Sequence, residues 1–269
     1  MPSIANCMNE ILLKMKSACD TVGAFQLEHW NRVKAEAVND KSLNQLVSFV
    51  DQQSEQMLVD ALLAAVPGST VIGEESASNN RVITEYTWII DPLDGTTNYL
   101  HGLPVFSISV ALLHNGAPVI GIVDCPVLKE RFTAIKGQGA YMNDTLIKVA
   151  DNANLKDSLL ATGFPYHNFA EMNAYLDVLT HFMLNTRGLR RMGSAAIDLA
   201  YTACGRFDAF FELNLSPWDI AAGILLVTEA GGEVSTFDGK PDVIFGNQIL
   251  ASSKALYPEM AQILKTSFS

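Results

Sequence analysis

Apolar residues along the chain follow two kinds of spacing, and the switch between them predicts the architecture. Ile4, Met8, Ile11, Leu12, Met15, Ala18 and Val22 recur every three or four positions, which predicts a long helix over about 4–36. Met57, Leu58, Ala61, Leu62 and Ala65 predict a second helix over 51–65, ended by Pro67-Gly68. Short apolar runs at 70–73 and at Trp88-Ile89-Ile90 have the length of strands. From Phe106 to about Tyr141 the period becomes two: "FSISVALLHNGAPVIGIVDCP" alternates about Asn115-Gly116, a strong hairpin turn, and "RFTAIKGQGAYMND" reads as another strand pair. Helical spacing returns over 168–186 and 194–204, a strand over 207–213, and a helix over 216–232. That last helix is marked at both ends, by Ser216 as N-cap, Pro217 at the first helical position, Asp219 three residues after the cap and Gly231-Gly232 as the stop. With no repeat and no linker, this mixed order predicts layered α and β in one compact domain over 1–269.

Acidic residues interrupt the pattern where apolar elements begin or end. Asp51, Glu74-Glu75, Asp91 with Asp94, and Asp219 each stand at such a boundary. Like charges beside a buried strand cost several kcal/mol unless a cation or a proton neutralises them. Brought to one cleft, these carboxylates form an all-oxygen anionic cage suited to a hard cation such as Mg²⁺. Each acid taken singly also reads as a cap or a solvated loop charge, and Asp219 fits a capping box with no metal. Gly95-Thr96-Thr97-Asn98 then places backbone N–H groups at a turn or helix start, where phosphate binds readily. A ligand-free turn is the plainer alternative for that segment.

Composition narrows the classes. The 269 residues are 49% apolar and 17% charged, with a net charge of −11, which disfavours nucleic-acid and anionic-membrane surfaces. The five histidines and four cysteines lack ligand spacing, which argues against zinc, and the cysteines read as reduced thiols of a cytoplasmic protein. No stretch has the apolar length to span a bilayer.

"GEES" (73–76), "DPLDGTTN" (91–98) and "PWDIAAG" (217–223) resemble, in order and spacing, the three signature segments of the inositol monophosphatase family, and "GSAAIDLAYTACGRFDAFFE" (193–212) resembles its substrate-side segment. The resemblance implies an α-β-α-β-α sandwich, usually a homodimer, and a lithium-sensitive phosphatase using two or three Mg²⁺. It implies Glu74, Asp91 and the Leu93 carbonyl as ligands of one ion, Asp91, Asp94 and Asp219 as ligands of a second, and a weaker third near Glu74. Thr96 with Asp51 would orient and deprotonate the attacking water. Gly95 and Thr96 N–H groups would hold the phosphate, with Asp94 and Asp219 beside the substrate. Gly193, Ser194, Ala195, Ala196 and Glu212 would meet substrate hydroxyls. Two segments depart from the family form: "KSLNQLVSFVD" (41–51) is one residue shorter, with Gln45 in place of an aspartate and Val50 in place of a threonine, and it keeps Lys41, expected in a mobile loop by the site; "LNLSPWD" (213–219) resembles bacterial members more than animal ones. The expected reaction is hydrolysis of inositol monophosphates. Alternatives are fructose 1,6-bisphosphate, 3′-phosphoadenosine 5′-phosphate or histidinol phosphate, and, from another class, a non-enzymatic metal-binding protein. A bisphosphate would need extra cations, for which Arg187, Arg190 and Arg191 are candidates, a dimer interface being an equal alternative for them.

Overall fold

The computed structural model describes residues 4–32, 38–42, 45–76, 82–164 and 170–268. Helix α1 (Ile4–His29) is followed by a hairpin of β1 (Val38–Ser42) and β2 (Gln45–Ser48), then by α2 (Phe49–Ala65). A seven-stranded sheet takes its strands in chain order: β3 (Thr70–Gly73), β4 (Tyr86–Asp94), β5 (Ser107–His114), β6 (Ala117–Cys125), β7 (Glu130–Ile135), β8 (Ala140–Met142) and β9 (Thr145–Ile147). Only the β3–β4 pairing in it is parallel. The short helix α3 (Thr96–Leu100) leaves the end of β4.

The second half of the chain supplies β10 (Leu159–Thr162), α4 (Met172–Asn185), β11 (Gly188–Arg190), α5 (Ala195–Ala203), β12 (Ala209–Leu213), α6 (Pro217–Glu229), β13 (Glu233–Ser235), β14 (Gln248–Ser252) and α7 (Tyr257–Ser267). Its five strands form a second sheet in the order β11-β10-β12-β14-β13, parallel about β10 and antiparallel about β14.

Three apolar cores stack these elements as α-β-α-β-α. Because strand side chains alternate, Trp88 and Ile90 of β4 face Met15, Cys19, Leu58 and Leu62 of α1 and α2, whereas Ile89 faces the opposite way. On that second side α5 and α6 fill the space between the two sheets, Ala196, Ile197, Ala200, Ile220 and Ala222 packing with Phe210 and Ile249. Phe211 and Leu250 point outward from the second sheet onto Tyr175, Phe182 and Met260 of α4 and α7. The continuous apolar runs of β4 and β12 therefore reflect burial on both faces.

Several expectations are corrected. The first helix stops at His29, not near 36, because Asn31 takes a left-handed φ of 62°; residues 33–37 lie outside the described residues. The strand at 88–90 extends over Tyr86–Asp94: Asp91 pairs with Ser109 and Asp94 with Ser107, with an irregularity between them. Lys41 lies in β1, in the irregular register between Asp40 and Ser42, and not in a loop. The strand expected at 207–213 begins at Ala209, and the helix expected from 168 at Met172. The first sheet also continues past Tyr141 into β9. No helix among the described residues is long and apolar enough to cross a membrane.

Candidate active site

The candidate site is a cleft of about 190 Å³ where β4, α3, the N-termini of α5 and α6, and the end of β12 meet. Glu74, Asp91, Leu93, Asp94 and Asp219 line it together with Gly95, Thr96, Gly193, Ser194, Ala195 and Glu212. Carboxylates scattered over nearly 150 positions of sequence thus share one wall.

The register irregularity in β4 places both Asp91 and Asp94 on this wall. Leu93 N–H donates to Asp91 Oδ1 at 2.9 Å, which holds the Asp-Pro-Leu-Asp turn closed. Gln26 of α1, fully buried, donates from Nε2 to the Pro92 carbonyl at 2.6 Å and clamps the same turn from behind. Asp94 Oδ2 accepts from Ser194 Oγ at 2.6 Å and from Ala196 N–H at 2.8 Å, so it sits on the N-terminus of α5. Asp219 Oδ2 accepts from Ser216 N–H at 2.6 Å. The capping box is therefore real, and the same carboxyl still lines the cleft.

Burial raises Asp91, Asp94, Glu212 and Asp219, and the charges of other acids add to it at Asp91, Glu212 and Asp219. Burial, then the charges of Glu74, Asp94 and Asp219, push Asp91 well above the usual carboxylate range. Asp219 is pushed up by burial and by Asp94 and Glu74. Burial takes Asp94 to about 6 despite its hydrogen bonds, and Glu212 to about 8, with Arg191 opposing. Among the described residues no three His, Cys, Asp or Glu side chains already stand in metal-holding geometry. The donor chemistry nevertheless fits a hard divalent cation, because these are oxygen donors only and a cation is what relieves their repulsion.

Beside the acids, Thr96 Oγ1 lies 2.9 Å from Asp51 Oδ1 and 3.0 Å from the Leu93 carbonyl. Its hydroxyl does not cap α3, whose N-cap is Gly95. Gly95 has φ 94°, and a Cβ there would press on the Val105 carbonyl at 2.9 Å. Only glycine gives this turn, which presents the first N–H groups of α3 without intrahelical partners.

The profile of the inositol monophosphatase family matches residues 8–268. The chain belongs to this family. It is 41% identical over 257 residues to a protein of Neisseria meningitidis serogroup B named putative Nus factor SuhB, covering 96% of this chain and 98% of that one. It is 37% identical over 259 residues to an inositol-1-monophosphatase of Mesorhizobium japonicum, covering 96% and 97%. Among solved structures, the extragenic suppressor protein suhB of Bartonella henselae superposes with a TM-score of 0.88 at 37% identity, covering 95% and 98%. Family membership supports phosphatase activity.

At this cleft the structure brings together the expected residues whose side chains are described. Asp51 arrives through its bond to Thr96, and Ala196 through its N–H to Asp94. The Lys41 side chain lies outside the described residues. Of the three arginines, Arg187 is exposed and paired with Asp157, and Arg190 is exposed and turned to the Leu189 carbonyl. Arg191 alone bears on the cleft acids. Sequence reasoning missed Asp198, Gly163 and Phe164, which line the cleft. A Cβ at Gly163 would collide with the Glu212 carboxylate. Asp198 was the readable one, a lone charge inside the apolar helix "AAIDLAYTA".

Proposed function

We propose that the protein is a Mg²⁺-dependent phosphomonoesterase that hydrolyses inositol monophosphates to inositol and phosphate. The observation that carries this reading is the convergence of Glu74, Asp91, Asp94 and Asp219 on one cleft beside the Thr96–Asp51 pair. Glu74, Asp91 and the Leu93 carbonyl would hold one ion, Asp91, Asp94 and Asp219 a second, with a third near Glu74. Bound there, Mg²⁺ supplies charge neutralisation, polarisation of the ester oxygens and a lowered pKa for the attacking water.

The chain's own groups do the positioning. When Thr96 O–H donates to Asp51, its lone pairs are left to accept a hydrogen from the water, so the pair fixes the water's direction and gives its proton a path to a carboxylate. The N–H groups of Gly95 and Thr96 face the phosphate at the start of α3. Gly193, Ser194, Ala195 and Ala196 form the opposite lip. Glu212 receives hydroxyls of the leaving group, in space that Gly163 leaves open.

The deciding experiment is phosphate release from myo-inositol 1-phosphate by the purified protein, with chelator and with Mg²⁺ restored. Turnover undiminished in chelator sinks the metal mechanism. A panel with fructose 1,6-bisphosphate, 3′-phosphoadenosine 5′-phosphate and histidinol phosphate ranks the substrates. Lithium inhibition is expected to be uncompetitive with substrate; a purely competitive pattern contradicts product trapping. The four free thiols, Cys7, Cys19, Cys125 and Cys204, support a cytoplasmic setting, and sedimentation should report a homodimer. A second, compatible reading comes from the relative named putative Nus factor SuhB: this chain serves as such a factor as well. A catalytically dead Asp94→Asn variant that still replaces that relative in a cell lacking it would support the added role.

A further inference from the structure

Asp198 has no place in the mechanism above, yet it lines the cleft. It lies one turn into α5, where helical side chains lean back toward the N-terminus, here toward Ser194 and the cleft mouth. Its backbone is fully used: the N–H donates to the Ser194 carbonyl at 3.0 Å, and its own carbonyl accepts from Thr202 Oγ1 at 2.9 Å. Its side chain is not. The residue is 1% exposed, and Oδ1 is buried without a hydrogen-bond partner. Every other position from Ala195 to Ala200 is Ala, Ile or Leu, so an apolar residue would suit the helix, and a buried unpaired acceptor costs stability. A group that the fold does not need, aimed into a cleft, calls for a ligand that completes it.

The surroundings define that ligand. Glu212 of β12 lines the same part of the cleft, and each of Asp198 and Glu212 is pushed up chiefly by burial, with Glu212 adding to the shift of Asp198. Glu212, pushed up to about 8, therefore keeps its proton in the free protein at neutral pH, and a protonated carboxyl both donates and accepts, as a hydroxyl does. Arg191 bears on both acids, which disfavours an ammonium group in the same place. We propose that Asp198 is a specificity-determining residue which, with Glu212, receives two hydroxyls of a polyol leaving group, Oδ1 accepting from one of them. This rests on the phosphatase reading and deepens it by naming a further residue that recognises the leaving group.

The test compares kcat/KM for myo-inositol 1-phosphate with that for p-nitrophenyl phosphate, whose leaving group carries no free hydroxyl, in wild type, Asp198→Asn and Asp198→Val, all with Mg²⁺. Val should lower the inositol-to-aryl ratio by about tenfold, mostly through KM, the size of one lost hydrogen bond. Asn keeps an acceptor oxygen and should lower the ratio by no more than about threefold. The Val protein, stripped of metal, should melt no lower than wild type. An unchanged ratio in the Val variant, an equal fall for both substrates, or Asn faring no better than Val overturns the proposal. A Val protein that fails to fold overturns it too, since Asp198 would then serve the structure. An amino-alcohol phosphate losing more than the polyol ester would replace hydroxyl recognition with amine recognition. A wild-type protein that hydrolyses neither ester refutes the phosphatase reading instead.

Discussion

Asp94 and Asp124 are buried to nearly the same degree, 9% and 7% exposed, on two strands of one sheet. Their partners differ. Asp124 takes a two-pronged bond from Arg131, Nε to Oδ1 at 2.8 Å and Nη2 to Oδ2 at 3.1 Å, and the same guanidinium reaches Asp20 at 2.6 Å. That cluster lies in an open groove of about 460 Å³ between α1 and β6, larger than the candidate cleft, and its charges are met within the protein. Asp94 has a hydroxyl and backbone N–H groups for partners, and although the charge of Arg191 bears on it, Asp91 and Asp219 crowd it with like charge. Cavity size would choose the wrong one of these two places. What separates them is charge left uncompensated: one cluster ties α1 to the sheet, while the other leaves like charges crowded at the cleft, where the proposed cation would relieve them.

Exchanging the two aspartates for asparagine breaks the comparison most sharply. Asp94→Asn should reduce kcat/KM at least about a hundredfold, the scale of losing electrostatic stabilisation of a transition state, while the metal-free fold gains stability as repulsion falls. Asp124→Asn should lower stability by about 1–3 kcal/mol in urea unfolding and leave turnover per folded molecule within about twofold of wild type. The opposite pattern would reverse the assignments.

Thr96 sharpens the picture on the catalytic side. Thr96→Val should cut kcat roughly a hundredfold with little change in metal affinity, whereas Thr96→Ser should keep most of it. If Val leaves kcat intact, the hydroxyl bonded to Asp51 is only structural.

Metal binding gives the next largest effect. Mg²⁺ at a hundred times its dissociation constant should stabilise the wild type by about 2.7 kcal/mol in thermal melts, with a much smaller shift in Asp94→Asn and an undiminished one in Asp124→Asn.

The smallest expected effect is on pH. The folded, metal-free protein holds protons on Asp94 up to about pH 6 and on Glu212 up to about pH 8, which the unfolded chain releases in the ordinary carboxylate range. The unfolded state therefore binds fewer protons over this window. The stability contributed is fully present at acid pH and is lost as pH rises through 6 and then 8. Melting of the chelated protein should fall over that interval, and Glu212→Gln should flatten its upper part. A wild-type profile flat from pH 5 to 8 would contradict the burial of these acids.

Much of this protein is written in short windows of sequence. Caps and turns are short-range codes, so α6 begins at Ser216-Pro217 and the β5–β6 hairpin turns at Asn115-Gly116, where the residues call for it. The signature segments name the acids for the same reason, since each acid sits near the end of an element that is itself legible. Long-range pairing was not legible. β10, β11, β13 and β14 are three to five residues long and carry little periodicity, and their order is set by burial between layers of helices. No window around Asp51 shows that it will meet Thr96, 45 positions on, or that Gln26 will clamp Pro92 from another helix. Asp198 reads as an oddity in an apolar helix until β12 brings Glu212 beside it. Sequence by itself determined which groups are present and which way each local element starts and stops; the packing of two sheets about α5 and α6 decided which carboxyls lost water and partners together, because desolvation depends on neighbours distant in the chain.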